Sequence, residues 1–277
     1  MSDLLGTVRT ALRPLGKVMP FGSRFTGLAD SDSDFDFALM LDDPYRSVES
    51  ALDSVSGRLR NYGASIILVL KKARAPLVRA QLHGQQFEVV VNGEWGVVNS
   101  MIVRELLAGN DNAVAIVKAM KQWAKSWDLI DASLGRLSSF AITVFTIRCL
   151  QRMGIVRKFK SDGRLQMSLR DIAIHSRSDI VAAVMESPHD LIRIRSTKDP
   201  IYSVMARLKE SLDAPGSLLI QDFLDHRSLT GGFQARPAEE LRKRAGEALE
   251  ILKNPHSEVS DINRRVYYSG VILVSRG

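Results

Sequence analysis

The chain has 277 residues, enough to bury a substantial core as one large domain or two closely packed ones, and its 45% hydrophobic and 25% charged residues are those of a soluble globular protein. No apolar run approaches the roughly 20 residues of a membrane span, and the single Cys149, set in an apolar helical pattern, excludes a disulfide framework or a cysteine metal site and fits a reducing compartment. The formal net charge is +7; residues 1–95 hold 11 basic and 11 acidic side chains, so the excess falls on the remainder and points there to a polyanionic partner.

Met1 to Leu15 is weakly amphipathic, with a short helix expected over Ser2 to Ala11. Arg9 and Arg13 give it a likeness to a mitochondrial leader, against which stand Asp3 and the closely following strand, Lys17 to Phe21. A second strand is expected over Phe35 to Leu41 and a helical stretch near Tyr45 to Arg60. Three more β-rich runs follow, Ile66 to Leu70, Leu77 to Leu82 and Phe87 to Val91, with Gly84 placed for a turn between the last two, so the first part predicts a sheet of about five strands. From Asn99 onward the period is helical. Ala113, Ile116, Val117, Met120, Trp123, Ala124 and Trp127 share one face and Lys118, Lys121 and Lys125 the opposite one. Further helices are expected over Leu137 to Arg152, Leu169 to Met185, Tyr202 to Leu212 and Pro237 to Leu252, with a loop at Gly231-Gly232.

Chemistry concentrates in the first part. Phe21-Gly22-Ser23 ends a strand, and Ser33-Asp34-Phe35-Asp36 opens the next apolar run. On a strand Asp34 and Asp36 point to one face while Phe35 and Phe37 enter the core. Their repulsion is tolerable with a divalent cation between them, and carboxylate oxygens suit Mg²⁺. Gly22 allows close backbone approach to a phosphate, and Ser23 offers a hydroxyl and an N–H. Glu88, in an otherwise apolar strand, is the candidate third acid for two-metal phosphoryl transfer, an edge-strand charge facing water being the alternative. Lys121 and Lys125 stand one helical turn apart, able to meet one triphosphate or to form a solvated face. Cys149 and His83, His175, His189 and His226 share no ligand spacing. The basic run from Arg148 to Arg170 suits either an RNA path or a solvated loop.

These residues resemble the noncanonical poly(A) and poly(U) polymerases, also called terminal uridylyltransferases, of the polymerase β superfamily. Gly22-Ser23 and Ser33-Asp34-Phe35-Asp36 look like the catalytic signature, and Glu88 to Asn92 lies where the third Asp is found. Asn99-Ser100 resembles the ribose-binding Asn, and Lys121-Gln-Trp-Ala-Lys125 and Gly135-Arg-Leu-Ser-Ser139-Phe140 follow at the family's spacing. Three positions depart from the pattern: Glu88 for Asp, Phe140 for Tyr, and Asn254 for the Asp of the base-reading segment, where Ser257 and Ser260 also leave neither known preference for uracil in place.

The resemblance implies an α+β fold: a polymerase β-like nucleotidyltransferase domain over residues 1–95, whose N-terminal helix is free to pack on the second domain, and a helical nucleotide-binding domain over 96–277, with the active site in the cleft between them. It implies template-independent transfer of UMP or AMP from UTP or ATP to an RNA 3′-hydroxyl. Asp34, Asp36 and Glu88 would hold metal, with two Mg²⁺ or Mn²⁺ ions serving the site. Gly22, Ser23, Lys121, Lys125 and Ser139 would hold the triphosphate, Asn99 the ribose, Phe140 the base, and Asn254 would read it. The expected partners are RNA and a protein supplying RNA specificity, in the cytoplasm or a mitochondrion and not in a membrane. A non-RNA acceptor, or an impaired RNA-binding subunit of the same fold, are the alternatives.

Overall fold

A computed structural model describes residues 2–73, 75–158, 194, 196–214, 218–221 and 228–263. The described residues up to Ala108 form one compact unit and those from Gly109 on form another.

The first unit is built on alternation. Strands β1 (Gly16–Phe21), β2 (Phe35–Leu41), β3 (Ser65–Leu70), β4 (Leu77–Leu82) and β5 (Gln85–Val91) make one sheet in the order β1-β2-β5-β4-β3. Only β2 and β5 pair in parallel; the other neighbours are antiparallel. Every second residue enters the core from one face: Phe35, Phe37 and Leu39 from β2, Phe87, Val89 and Val91 from β5, and Val78, Ala80 and Leu82 from β4. Helices α1 (Ser2–Leu12) and α3 (Val48–Asn61) cover that face. On α1, Leu4, Val8 and Leu12 recur at helical spacing and are buried, so this helix belongs to the core of the first unit. On α3, the Ser47 side chain caps the first turn by accepting from Ser50 N–H, and Leu52, Val55 and Leu59 are buried.

The opposite face of the sheet carries Asp36, Glu88 and Arg79 at neighbouring register positions. Helix α4 (Glu94–Leu107) packs over β1 and β2 there, with the Phe21 ring against Gly96. The five expected strands agree with those observed to within two residues. Two features differ: α2 (Gly22–Thr26) follows β1 at once, and the helix expected from Asn99 begins at Glu94.

The second unit is helical. Asn110 caps α5 (Asp111–Ser126) by accepting from Ala113 N–H, and its expected apolar face is buried from Ala113 to Ala124, with Trp127 just beyond the end. Helix α6 (Ser139–Arg152) packs on α5 and on α7 (Lys198–Asp213), and α7 packs along α8 (Ala235–Lys253). Cys149 is buried on α6, and burial pushes its thiol up to about 11, as befits a core residue. The expected helix Leu169 to Met185 and His175, His189 and His226 lie outside the described residues. No described helix is long and apolar enough to cross a membrane.

Candidate active site

Parallel pairing sets Asp36 of β2 directly beside Glu88 of β5, so the two carboxylates share one face while Phe37 and Phe87 meet edge to face at 5.9 Å on the other. Asp34 stands half-buried at the entry to β2. Glu88 is not alone on its strand. Antiparallel pairing of β4 with β5 places Arg79 opposite it, and Arg79 Nε and Nη2 both donate to Glu88 Oε1, at 2.8 and 2.5 Å. The Glu88 side chain is only 16% exposed, while Arg79 is 40% exposed, so the pair is shielded on the carboxylate side and open to water on the guanidinium side. The hydrogen bond to Glu88 raises the Arg79 guanidinium above its ordinary pKa against the opposing effect of burial, and the charges of Glu88 and Asp34 add to the rise.

Arg79 is the site residue that reasoning from sequence did not find. Its signal was present: a two-residue turn at His83-Gly84 pairs Leu82 with Gln85 and, by the same register, Arg79 with Glu88. Among the described residues no three His, Cys, Asp or Glu side chains converge into a ready-made metal cage. Asp36 and Glu88 share a face, but Glu88 Oε1 is engaged on the β4 side. The donor set is nonetheless entirely carboxylate oxygen, the hard ligand chemistry that suits Mg²⁺.

The backbone beside Asp36 is shaped for close approach. Gly22 has φ +74°, and a Cβ there would lie 1.9 Å from Asp36 Oδ2, so glycine alone lets the chain rest against that carboxylate. Gly22 N–H donates to Ser100 Oγ at 2.9 Å, and the Ser100 hydroxyl donates to the Gly96 carbonyl at 2.7 Å, which fastens the start of α2 to α4. Ser23 lies on α2, its carbonyl accepting from Leu28 N–H and the Thr26 hydroxyl. Arg24 donates from Nε to the Ser33 carbonyl at 2.7 Å and stacks 4.1 Å over the Phe35 ring, tying the approach to Asp34 down to α2. Asn99 is buried in α4. A cavity of about 350 Å³ opens here, lined by Phe21, Arg24, Phe35, Asp36 and Arg104 among others.

The second unit holds the remaining candidates. On α5, Lys121 is half-buried and Lys125 exposed, one turn apart. At the start of α6 the capping hydroxyl is that of Ser138, which accepts from Ala141 N–H at 3.0 Å, so Ser139 is the first helical residue and not the cap. Phe140 is half-buried, whereas Ala141, Ile142 and Val144 are fully buried. Asn254 is the exposed C-cap of α8, its Oδ1 accepting from His256 N–H at 3.0 Å. Lys198 Nζ donates to the carbonyls of Asn254 and Ser257 at 2.6 and 2.9 Å and holds that turn, a partnership with no local sequence signal. Of the basic run, Arg148, Arg152, Arg157 and Lys158 are described; Lys160, Arg164 and Arg170 are not. A larger cavity of about 1180 Å³ in this unit mixes Arg136, Arg242 and Lys243 with Asp213, Glu239 and Glu240. It includes none of the candidate residues, and its balanced charge gives no preference for an anion.

No family profile matches the chain. Over 147 residues it is 26% identical to poly(A) RNA polymerase GLD2 of Xenopus tropicalis, a match covering 50% of this chain and 28% of that protein. Over 146 residues it is 28% identical to GLD2 of Danio rerio, covering 50% and 30%. These matches span less than a third of the length of the curated relatives. In structure, 95% of the chain superposes on 91% of a mutant Cid1 poly(U) polymerase bound to MgATP, with a TM-score of 0.71 and 15% identity. It superposes equally on 90% of a cytoplasmic RNA terminal U-transferase, with a TM-score of 0.68 and 15% identity. The fold is that of the Cid1 poly(U) polymerase structures. The resemblance carried by the five sequence motifs is thereby borne out, and with it the α+β, polymerase β-like architecture.

Proposed function

We propose that the chain is a template-independent RNA 3′-terminal nucleotidyltransferase that transfers UMP or AMP from UTP or ATP and releases pyrophosphate. The observation that carries this reading is the pairing of Asp36 with Glu88 across parallel strands, with the Gly22 backbone seated on the Asp36 carboxylate. The relatives support it: GLD2 is a poly(A) RNA polymerase, and the solved neighbours include Cid1 with MgATP, with MgGTP and with its short product ApU.

In this reading the RNA 3′-oxygen bonds to the α-phosphorus, the bond to the β-phosphate oxygen breaks, and the hydroxyl proton passes to solvent. Asp34, Asp36 and Glu88 would hold divalent metal, Mg²⁺ or Mn²⁺, with two ions serving the site. The chemistry such ions would supply is Lewis acidity, a lower pKa for the attacking hydroxyl and compensation of charge on the departing pyrophosphate. The chain's own groups bind and orient. Gly22 admits the triphosphate to the Asp36 face, and Ser23 supplies a hydroxyl to it. Lys121 and Lys125 supply positive charge and Ser139 a second hydroxyl. Asn99 takes the ribose hydroxyl, Phe140 stacks on the base, and Asn254, steadied by Lys198, reads the base edge. A protein partner would supply RNA selectivity.

The test is an RNA oligonucleotide incubated with the chain, Mg²⁺ and each of the four nucleoside triphosphates in turn. A 3′-extended product with UTP or ATP is expected, and no extension with any of the four would sink the reading. The Arg79–Glu88 pair favours one second reading, an RNA-binding subunit of the same fold without turnover, which would bind the oligonucleotide and leave it unextended.

A further inference from the structure

We propose that Arg79 is the positioning residue for Glu88, fixing its carboxylate for divalent-cation duty beside Asp36. The inference rests on the nucleotidyltransferase reading above. A glutamate has three rotatable side-chain bonds, and a carboxylate free to move over them holds a cation poorly, because Mg²⁺ demands near-ideal geometry. Arg79 removes that freedom. Its position is fixed by the β4–β5 register, and the planar guanidinium reaches Glu88 Oε1 with two of its nitrogens. Both bonds fall on Oε1, which leaves Oε2 outside the pair.

The pair also differs from an ordinary surface contact. Lys71 and Asp53 in the same unit are 43% and 66% exposed, and pairs of that kind contribute little. Arg79, at 40%, is about as exposed as Lys71, but its acid is not: Glu88 is 16% exposed, it neighbours Asp36 in register, and the charge of Asp34 acts on the same guanidinium. Arg79 therefore stands beside the paired acids Asp36 and Glu88 rather than apart from them. Two effects of removing it have opposite sign. Loss of the guanidinium frees the Glu88 carboxylate to wander, which weakens cation binding; it also removes a repelling positive charge, which strengthens it. Orientation prevails in our proposal, and the sign of the measured change decides.

The full chain and its Arg79→Ala, Arg79→Lys, Glu88→Ala and Arg79→Ala/Glu88→Ala variants would be titrated with Mn²⁺ in the absence of nucleotide, free ion being read by electron paramagnetic resonance. In parallel, kcat and KM for the accepted triphosphate would be measured in Mg²⁺ and in Mn²⁺. Arg79→Ala is expected to weaken Mn²⁺ binding and to lower kcat in Mg²⁺ by about 10- to 100-fold, the usual consequence of losing a partner that orients a ligand. The loss should be smaller in Mn²⁺, KM should stay unchanged, and Arg79→Lys should be intermediate because it keeps charge without the fork. The double variant should bind Mn²⁺ no more weakly than Glu88→Ala alone.

Unchanged or tighter Mn²⁺ binding in Arg79→Ala would overturn the proposal, whatever happens to the melting temperature. If Arg79→Ala does not fold, the Mn²⁺ affinity of Arg79→Lys decides in its place, by the same criterion. A wild-type chain that binds Mn²⁺ but extends no RNA removes the nucleotidyltransferase reading and leaves the Mn²⁺ comparison to decide on Arg79. A wild-type chain that binds no Mn²⁺ overturns both.

Discussion

The two units gather their candidate residues in different ways. In the first, Asp36, Glu88 and Arg79 come from three strands and meet through pairing register, while Gly22 and Ser100 join a turn to a helix far along the chain. In the second, Lys121 and Lys125 lie on one helix, and Ser139 and Phe140 open another, so spacing within a few residues suffices to place them. A site assembled by register is positioned by many backbone bonds at once and tolerates little local change. Residues along a helix face can be altered one at a time with little effect on their neighbours. Substitutions in the first unit should therefore be the more damaging.

The largest expected effect is on the acids. Asp34→Ala, Asp36→Ala and Glu88→Ala are each expected to lower nucleotide addition by about 10³-fold, on the order of 4 kcal/mol, while circular dichroism shows the fold retained. Addition at the wild-type rate by Glu88→Ala would remove it from the metal-holding set. Next comes a matched pair of glycines. Gly22→Ala sets a Cβ against the Asp36 carboxylate at φ +74°, whereas Gly135→Ala, at φ +69°, sets one against the flexible Gln234 side chain. Both should destabilise by about 1–3 kcal/mol through backbone strain. Only Gly22→Ala should also depress turnover, by about 100-fold, because the atom it displaces is on a reacting-site carboxylate. Equal loss of turnover in both would break the contrast between the units.

Glu88→Asp shortens the side chain by one methylene and withdraws it from Arg79 as well as from the site. We expect kcat to fall about tenfold with nucleotide binding little changed, read from single-turnover rates at saturating triphosphate. A faster Asp variant would mean that the longer acid is a handicap rather than one half of a fitted pair. In the second unit, Lys121→Ala and Lys125→Ala should each raise KM for the triphosphate about fivefold, a smaller change because Lys125 is exposed and screened by solvent. If RNA affinity changes instead, the two lysines serve the RNA path.

The same contrast explains what was legible in the sequence. Alternation at Phe35-Asp36-Phe37 and at Phe87-Glu88-Val89 announced both strands and set each acid opposite its core-facing neighbours, because the period of a strand is local; that the two acids share a face came only with the β2–β5 pairing. The apolar stripe from Ala113 to Ala124 announced α5 in the same way. The five-residue α2 was hidden, since one turn is too short to show a period. The early start of α4 at Glu94 was hidden because Val97 to Val103 is buried throughout and reads as no one face. Lys198 at the Asn254 turn and Ser100 at Gly22 are long-range partners, so no window of sequence contains them. Arg79 falls between these cases: the hairpin turn fixed its register opposite Glu88, but the alternation that suggests a strand does not say which neighbour a charge will meet.

The smallest effect we predict separates two adjacent serines of the second unit. Ser138 and Ser139 are interchangeable by composition at a helix start, where either hydroxyl suits a cap. Ser138 has the extended backbone of a cap (φ −78°, ψ 155°), and its hydroxyl accepts from Ala141 N–H, whereas Ser139 is already helical and its carbonyl accepts from the Thr143 hydroxyl. Removing the Ser138 hydroxyl leaves a first-turn N–H unsatisfied, so Ser138→Ala should cost about 1 kcal/mol of stability in denaturant unfolding, with KM and kcat unchanged well below the melting temperature. Ser139→Ala removes no cap and should leave stability within about 0.5 kcal/mol. If its hydroxyl binds the triphosphate, KM should rise by about threefold, the share of one neutral hydrogen bond in water. The reverse pattern, a stable Ser138→Ala with raised KM, would exchange their roles and move the phosphate contact one residue earlier. Unchanged kinetics in both would leave Lys121 and Lys125 as the groups of this unit that meet the triphosphate.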